Sequence, residues 1–464
     1  MASDPRDRTP DLPVGLSEPP TRVRYGVLFF LCSMAMLLYI DRSCIGVAAV
    51  TMRKDLDLQE ERWSLVLNAF ALAYSLFEVP TGHWGDRYGS RGVITRIVIF
   101  WSIFTALTGA ATGLYSLILI RFLFGAGEAG AFPNAALVLT KWFPVEHRGR
   151  VRGMITTVSM LGAAAAPLVA TKLMKAFGWR QMFGILGIVG AIWAALFYWW
   201  FRDRPSEHPG CNEAERRLIN PHGGEASTAS SHAHEPIPWG IVLTSPNVWF
   251  LGTIMMVSAT YFYLQFQWYP TYLAQARGVD QDTSAWMNMV VMLGGAAGCV
   301  LGGVMTDIIV SRTDERKWSR RLYGGALVLL SSLSVSTVAL TDEPWIGAVG
   351  SSLALMFLQM SMPTWWTVVA EISGRHGASM WGLMNSMGGI GVMGSTQLIG
   401  WYIQSRKAAG YSGRDAFDPL YLMMAGLFLV GVCLWLFIDP TRSVVERSAT
   451  AEEESTVGHD ELPG

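Results

Sequence analysis

Charge is what this chain has least of. Asp, Glu, Lys and Arg make up 15% of its 464 residues and hydrophobic residues 51%, against a charged share of about 25% in soluble domains. So little charge cannot cover a water-facing surface, and the deficit fits lipid as the solvent. Cysteine is scarce too: Cys32, Cys44, Cys299 and Cys433 fall in apolar stretches and Cys211 in a polar one, with no spacing for a disulfide framework or a metal site. His232 and His234 have no Cys or third His close by and read as part of a solvated linker. No GxxxxGK[ST] motif occurs, which speaks against ATP as a driver. Residues 1–24 carry charges and Pro but no apolar core before Tyr25, so no cleavable signal peptide is expected.

Long apolar runs are what the chain has instead. They cover 25–50, 63–84, 92–111, 115–140, 150–176 and 180–201, then 246–275, 284–306, 322–340, 344–370, 377–404 and 418–438, each near the roughly 20 residues a membrane helix needs. Spanning segments must satisfy their own backbone, and no ten-residue alternating pattern argues for a barrel. The expected fold class is an all-α integral membrane protein of twelve transmembrane helices in two six-helix bundles. The bundles are 25–201 and 246–438, with tails 1–24 and 439–464 and a polar linker 202–245. Lys and Arg are more abundant on the side of the tails and linker, which places both termini in the cytoplasm.

Against this background the few charges at membrane depth stand out. Asp41 and Arg42 are adjacent within the first span, and Arg121 and Glu128 lie two helical turns apart on one face of the fourth. Each such charge costs a few kcal/mol even on the gentlest insertion scales, so it persists facing a protein interior or a watery cavity. Two guanidiniums converging on one cavity suit a carboxylate, because each offers a planar fork; internal pairing of Arg42 with Glu128 or of Arg121 with Asp41 is the structural alternative. The four charges cancel, so an added anion leaves a negative excess that protonation of Asp41 or Glu128 removes, and substrate and proton should bind cooperatively.

Further polar positions join this set. The seventh span aligns Tyr261, Gln265, Trp268 and Tyr272 around Pro270, as either a hydroxyl- and amide-bearing binding face or an interfacial aromatic belt. Tyr74 and Glu78 share a face of the second span, Asn385 starts the polar side of the eleventh, and Trp365 and Trp366 of the tenth could stack on a carbon chain or fill space. Gly125, Gly127 and Gly130 spell GxGxxG, but inside an apolar helix with no preceding strand, so they and the run Gly294, Gly298, Gly302 read as helix packing.

The two halves repeat each other. GHWGDRYGSR follows the second span, with Gly82, Asp86, Arg87, Gly89 and Arg91, and GVMTDIIVSR follows the eighth, with Gly303, Asp307 and Arg312. This doubled loop resembles the gating signature of the major facilitator superfamily. YIDRSCI, RFLFGAGEAGAFPN, GWRQMF, RDRPSEHP, IPWGIVLTSPNVW and FIDPTRS together resemble its anion:cation symporter family, which includes bacterial hexuronate, galactonate and glucarate carriers and relatives of sialin. The resemblance implies a cavity lined by spans one, four, seven and ten and proton-linked organic-anion transport. Arg42 and Arg121 match substrate-carboxylate positions, Asp41 and Glu128 protonation positions, and Tyr74 a cavity tyrosine. Glu78 stands where sugar-acid members usually show Gln, and Ser159 and Met160 where galactonate-type carriers place Gln and Tyr.

The expected activity is therefore proton symport of a sugar acid such as a hexuronate or aldonate, with a smaller or aromatic carboxylate as runner-up. No catalytic residue, cofactor or metal is expected; the partners are a small organic anion, protons and the lipid bilayer, with no nucleic acid, and the working unit is a monomer. A drug or cation exporter would have acids without paired cavity arginines, and a transporter-like sensor would carry a substantial extra cytoplasmic domain.

Overall fold

Every one of the twelve apolar stretches is helical. The computed structural model describes residues 19–220, 239–312, 316–373 and 377–439, so His232 and His234 lie outside the described residues, as do both tails. Among the described residues there are helices and no strands. The N-terminal half comprises α1 (Val23–Asp55), α2 (Glu60–Tyr88), α3 (Ser90–Thr108), α4 (Leu114–Glu128), α5 (Ala131–Trp142) and α6 (Val145–Trp200). The linker holds α7 (Glu213–Ile219) and α8 (Trp239–Thr244). The C-terminal half comprises α9 (Pro246–Tyr263), a π-turn at Leu264–Trp268, α10 (Tyr269–Gln275), α11 (Gln281–Arg312), α12 (Arg316–Leu340), α13 (Pro344–Ser373), α14 (Gly377–Ala408) and α15 (Arg414–Phe437).

Nine helical stretches among the described residues are long and apolar enough to cross a membrane. One of them, within α6, breaks at Gly178, whose φ of +83° departs from helical geometry and turns one span into the next. α2 and α14 run 29 and 32 residues and are less apolar because they carry polar side chains into the interior. The outward faces are apolar: Phe29, Leu76, Ile188, Leu333 and Phe437 are exposed large hydrophobics, which in a membrane meet acyl chains.

Since lipid gives helices no hydrophobic reason to associate, close packing of small residues does that work. A side chain on Gly294, Gly298 or Gly302 would run into Ser352, the Met356 carbonyl or Met360, so the small-residue run of α11 is the groove into which α13 sinks. Gly125, Gly127 and Gly130 are likewise packed, against Phe70 of α2, Phe100 of α3 and Thr81 of α2, which removes the GxGxxG motif from nucleotide chemistry.

The linker is tied to the bundle. Asn212 caps α7 by accepting from the Glu215 N–H at 3.0 Å. Glu215, fully buried, accepts in turn from the Val23 and Arg24 N–H groups at 3.1 and 3.2 Å. A carboxylate thus caps the free N–H groups that open α1.

Candidate functional site

Adjacent helix positions point about 100° apart, and α1 uses that to send Asp41 and Arg42 in different directions. Arg42 faces α2 and α9. Its guanidinium lies over the rings of Tyr39, Phe70 and Tyr74 at 5.6, 5.1 and 4.5 Å, and it forms an ion pair with Glu128 of α4 at 2.9 Å. Arg121, on the same helix as Glu128, lies over Phe70 at 5.2 Å and Phe124 at 4.4 Å, so Phe70 sits beneath both guanidiniums. All four charged groups are buried: Asp41 is 3% exposed, Arg42 7%, Arg121 2% and Glu128 0%. Asp41 turns into the N-terminal half, where Arg121 and Glu128 are its charged neighbours.

Local backbone chemistry positions Glu128. It ends α4, and the turn at Ala129–Gly130 leads into α5. Asn134 bridges this joint by donating to the Gly130 carbonyl at 2.8 Å and the Thr81 carbonyl of α2 at 3.1 Å. Ala129 and Gly130 both keep right-handed helical φ/ψ, so α4 and α5 run on as one span, Leu114–Trp142. Beyond the Arg42 Nε–Glu128 Oε2 ion pair, Arg42 Nη2, Arg121 Nε and Glu128 Oε1 have no aligned hydrogen-bond partner. Buried polar atoms without partners are uncommon in folded proteins, and here they gather around the Arg42–Glu128 pair.

The sequence-nominated residues divide into those near this centre and those elsewhere. Tyr74 lies against Arg42, and Glu78, one turn on and half-buried, is close enough to interact with both. Tyr261, Gln265, Trp268 and Tyr272 are all buried, and three of them turn their polar groups to the C-terminal half. The Tyr261 hydroxyl donates to the Ser351 carbonyl at 3.3 Å, the Gln265 amide to the Ser351 hydroxyl at 3.4 Å, and Tyr272 to Asp418 at 3.1 Å. Trp365 donates to the Leu251 carbonyl at 3.0 Å, and Trp366 stands edge-on to it at 4.7 Å. Asn385 is half-buried on α14.

Sequence reasoning passed over the C-terminal residues that do face the arginines. Tyr263 ends α9 and is close enough to Arg42 to interact with it. Phe266 meets Tyr39 at 6.2 Å and Phe262 at 5.5 Å. The π-turn places them: its extra residue re-aims the helix face, and such turns recur at functional sites. Gly46, one turn beyond Arg42, meets this turn so closely that a methyl group there would lie 3.0 Å from the Phe266 carbonyl.

The doubled loop motif sits at the face carrying the termini. Gly89 has φ +84° and a Cβ there would lie 2.8 Å from Asp203 Oδ2, while Asp203 Oδ1 accepts from the Arg91 N–H at 2.9 Å. Arg91 also donates to the Tyr198 carbonyl at 2.9 Å, and Arg87 is exposed over Tyr88. Gly303 is open on one side of α11; of Gly82, Asp86 and Asp307 only their place in helices is described. Asp203, in RDRPSEHP, is the partner the loop motif alone does not reveal.

At the opposite face the halves touch. Lys407 donates to Glu60 at 2.6 Å and to Gln275 at 3.0 Å, Arg53 pairs with Glu60 at 2.7 Å, and Ser64 donates to Gln397 at 3.1 Å. Lys175 of α6 also pairs with Asp282 of α11.

Two helical halves meeting over a buried charge cluster, with a repeated loop motif, define a recognisable class, and the sequence profile of the Major Facilitator Superfamily matches residues 31–396. The chain belongs to this superfamily. It is accordingly a multi-pass membrane transporter and not an enzyme. It is 29% identical over 427 residues to a protein of Cupriavidus necator described as a probable sulfoacetate transporter, covering 91% of this chain and 95% of that one. It is 29% identical to a probable galactarate/D-glucarate transporter of Bacillus subtilis, covering 89% and 92%. A hexuronate transporter of the same organism is 24% identical, covering 93% and 98%. Among solved structures, an inward-facing bacterial homolog of the human lysosomal transporter Spinster superimposes with a TM-score of 0.73 at 19% identity, covering 90% of this chain and 97% of the other. The D-xylose-proton symporter gives 0.69 at 13%, covering 90% and 98%. These two likenesses show the fold. The sequence relatives agree with the anion:cation symporter resemblance.

Proposed function

We propose that this protein carries a small organic anion, a sugar acid such as a hexuronate or aldonate, into the cell together with protons. The bundles 25–201 and 246–438 would rock about the central charges, both termini lying in the cytoplasm and the protein working as a monomer in the cell membrane. The observation that carries this reading is the Arg42–Glu128 ion pair at 2.9 Å, with side-chain exposures of 8% and 0%. An ionised Glu128 occupies the guanidinium that a substrate carboxylate would need. Protonating Glu128 cancels its charge, releases the Arg42 fork to the incoming anion and keeps the chamber neutral. Proton and anion thus favour each other's binding, which is what symport requires. Arg121 supplies the second positive charge. In the closed contacts at Glu60 and Lys407, the halves would be open toward the cytoplasm.

A second reading narrows the cargo to a short or poorly hydroxylated anion. It is favoured by the aromatic lining of Arg42 and by the burial of Tyr261 and Gln265 within the C-terminal half. Ser159 likewise spends its hydroxyl on the Ile155 carbonyl at 2.8 Å. Uptake of labelled sulfoacetate, D-glucarate, D-galactonate and D-glucuronate into proteoliposomes, with and without an inward proton gradient, tests both readings. Gradient-driven accumulation of a sugar acid supports the first, of sulfoacetate alone the second. Accumulation of none of them, or accumulation indifferent to the gradient, contradicts the proton-linked proposal.

A further inference from the structure

The face opposite the termini carries a polar cavity of its own, away from the central charges. It lies where the ends of α12 and α14 meet the start of α15, and Ala339, Arg406, Arg414, Asp415, Pro419 and Leu422 line it. Its volume of about 350 Å³ is within the roughly 300–1,000 Å³ of small-ligand sites. The turn from α14 to α15 passes through positive φ at Gly410 and Gly413 and brings Tyr411 against Arg406, whose guanidinium lies 3.5 Å from the ring centroid.

Two of the charges here are already matched. Arg414 donates from Nε to Asp418 at 2.7 Å and from Nη2 to the Ala339 carbonyl at 2.8 Å, and its Nη1 pairs with Asp342. Asp418 also accepts from the Tyr272 hydroxyl at 3.1 Å. Two others are open. Arg406 donates to the Asp415 backbone carbonyl at 2.9 Å, yet its Nε is buried without a hydrogen-bond partner, and it forms no ion pair among the described residues. The exposed Asp415 carboxylate has no partner among the described residues either. One uncommitted cation and one uncommitted anion thus stand side by side.

Below them the cavity turns apolar. Leu422 lies two turns beyond Asp415 on the same face of α15, about 10 Å further along the helix. It is 46% exposed, and Leu340 at the end of α12 is 77% exposed. In a membrane both meet acyl chains. An arginine and a tyrosine at such a boundary are ordinary interfacial anchors, but anchoring does not require a buried Nε left open beside a free carboxylate.

We propose that this cavity binds the head group of a zwitterionic phospholipid bearing a primary ammonium, phosphatidylethanolamine being the type. Its phosphate sits on Arg406, its ammonium on Asp415 and its chains against Leu422. A primary ammonium donates hydrogen bonds to the carboxylate. A quaternary choline cannot, and a glycerol head group brings no cation at all.

The test is native mass spectrometry of the purified full-length protein, delipidated in detergent without substrate. It is titrated with phosphatidylethanolamine, phosphatidylcholine and phosphatidylglycerol of the same acyl chains. Wild type should bind the first about tenfold more tightly than the second, the difference of one charge-assisted hydrogen bond. Asp415→Asn should erase that preference and leave phosphatidylcholine binding unchanged, while Arg406→Gln should weaken both by about tenfold. Since the Asp415 side chain is exposed and holds nothing in the fold, its variant reports on the site even if Arg406→Gln does not fold. Equal affinity of wild type for the three lipids, or a preference that survives Asp415→Asn, overturns the proposal. Glycerophosphoethanolamine, which keeps the head group and lacks the chains, should not compete at equal concentration. Full displacement of the lipid by it would make this a site for a soluble zwitterion and overturn the proposal as well.

Discussion

Glu60 and Lys407 meet at 2.6 Å across 347 residues of sequence, one in each half of the molecule. Arg53 joins from α1 at 2.7 Å, so a single carboxylate holds two cations at the face opposite the termini. Partly exposed pairs contribute up to about 1 kcal/mol. Glu60→Gln removes the attraction to Lys407, the one of the two that crosses between the halves, so they should part more often at this face. Labelling of a cysteine placed at Gln397 by an impermeant maleimide should then rise roughly fivefold at most. Unchanged labelling would mean that Ser64, Gly46 and the π-turn hold this face without the ion pair.

Arg42→Lys keeps the charge and loses the planar fork. A bidentate partner becomes a point charge, and the ring contacts to Phe70 and Tyr74 weaken. With about 1.5–3 kcal/mol at stake, KM for the transported anion should rise roughly ten- to a hundredfold, with normal membrane insertion and monodisperse purification. An unchanged KM would make Arg42 a structural partner of Glu128.

Gly298 and Gly303 share a helix and should respond oppositely. A side chain at Gly298 runs into the Met356 carbonyl, while one at Gly303 meets nothing within 4 Å. Gly298→Val should lower thermal stability by about 1–3 kcal/mol, the usual cost of overpacking. Gly303→Ala should be neutral or stabilising by up to about 1 kcal/mol from helix propensity. If Gly303→Ala slows transport while leaving the melting temperature intact, the loop motif acts in conformational exchange rather than in folding.

His208 gives the linker its own pH dependence. It packs edge-on against Trp142 and Trp200 and accepts from the Gly210 N–H at 3.1 Å. Burial, and then the nearby Arg202, hold its imidazole below the usual histidine range despite Glu215. The folded linker therefore favours neutral His208; the unfolded segment binds its proton first as pH falls, and stability is lost below about pH 6.5. His208→Phe cannot titrate. The gap in thermal stability between wild type and this variant should shift against the wild type on acidification, whereas a gap constant with pH would contradict the assignment.

Much of this was legible in the sequence because the membrane makes it so. Long apolar runs leave few alternatives to helices, and Asp41, Arg42, Arg121 and Glu128 are conspicuous because charge is otherwise missing there. Which way those charges point was not legible. Asp41 and Arg42 are neighbours in sequence and face different compartments of the fold. Tyr261 and Gln265 had the spacing of one face, yet both turn their polar groups to Ser351: helical periodicity shows that residues share a face, not which neighbour the face meets. Tyr263 was hidden for a related reason, since the π-turn that presents it has no signature in composition. Glu60, Lys407 and Asp203 are ordinary surface charges until the fold brings their partners to them.

The central claim is that protonation of Glu128 frees Arg42 for the anion, and Glu128→Gln tests it most directly. Gln mimics the protonated acid permanently, so the cavity can load substrate but has no proton to release between the loaded and empty states. Measured side by side in proteoliposomes, this variant should keep substrate counterflow and lose gradient-driven accumulation. Accumulation at the wild-type level would contradict the account and move the coupling proton to Asp41 or Glu78.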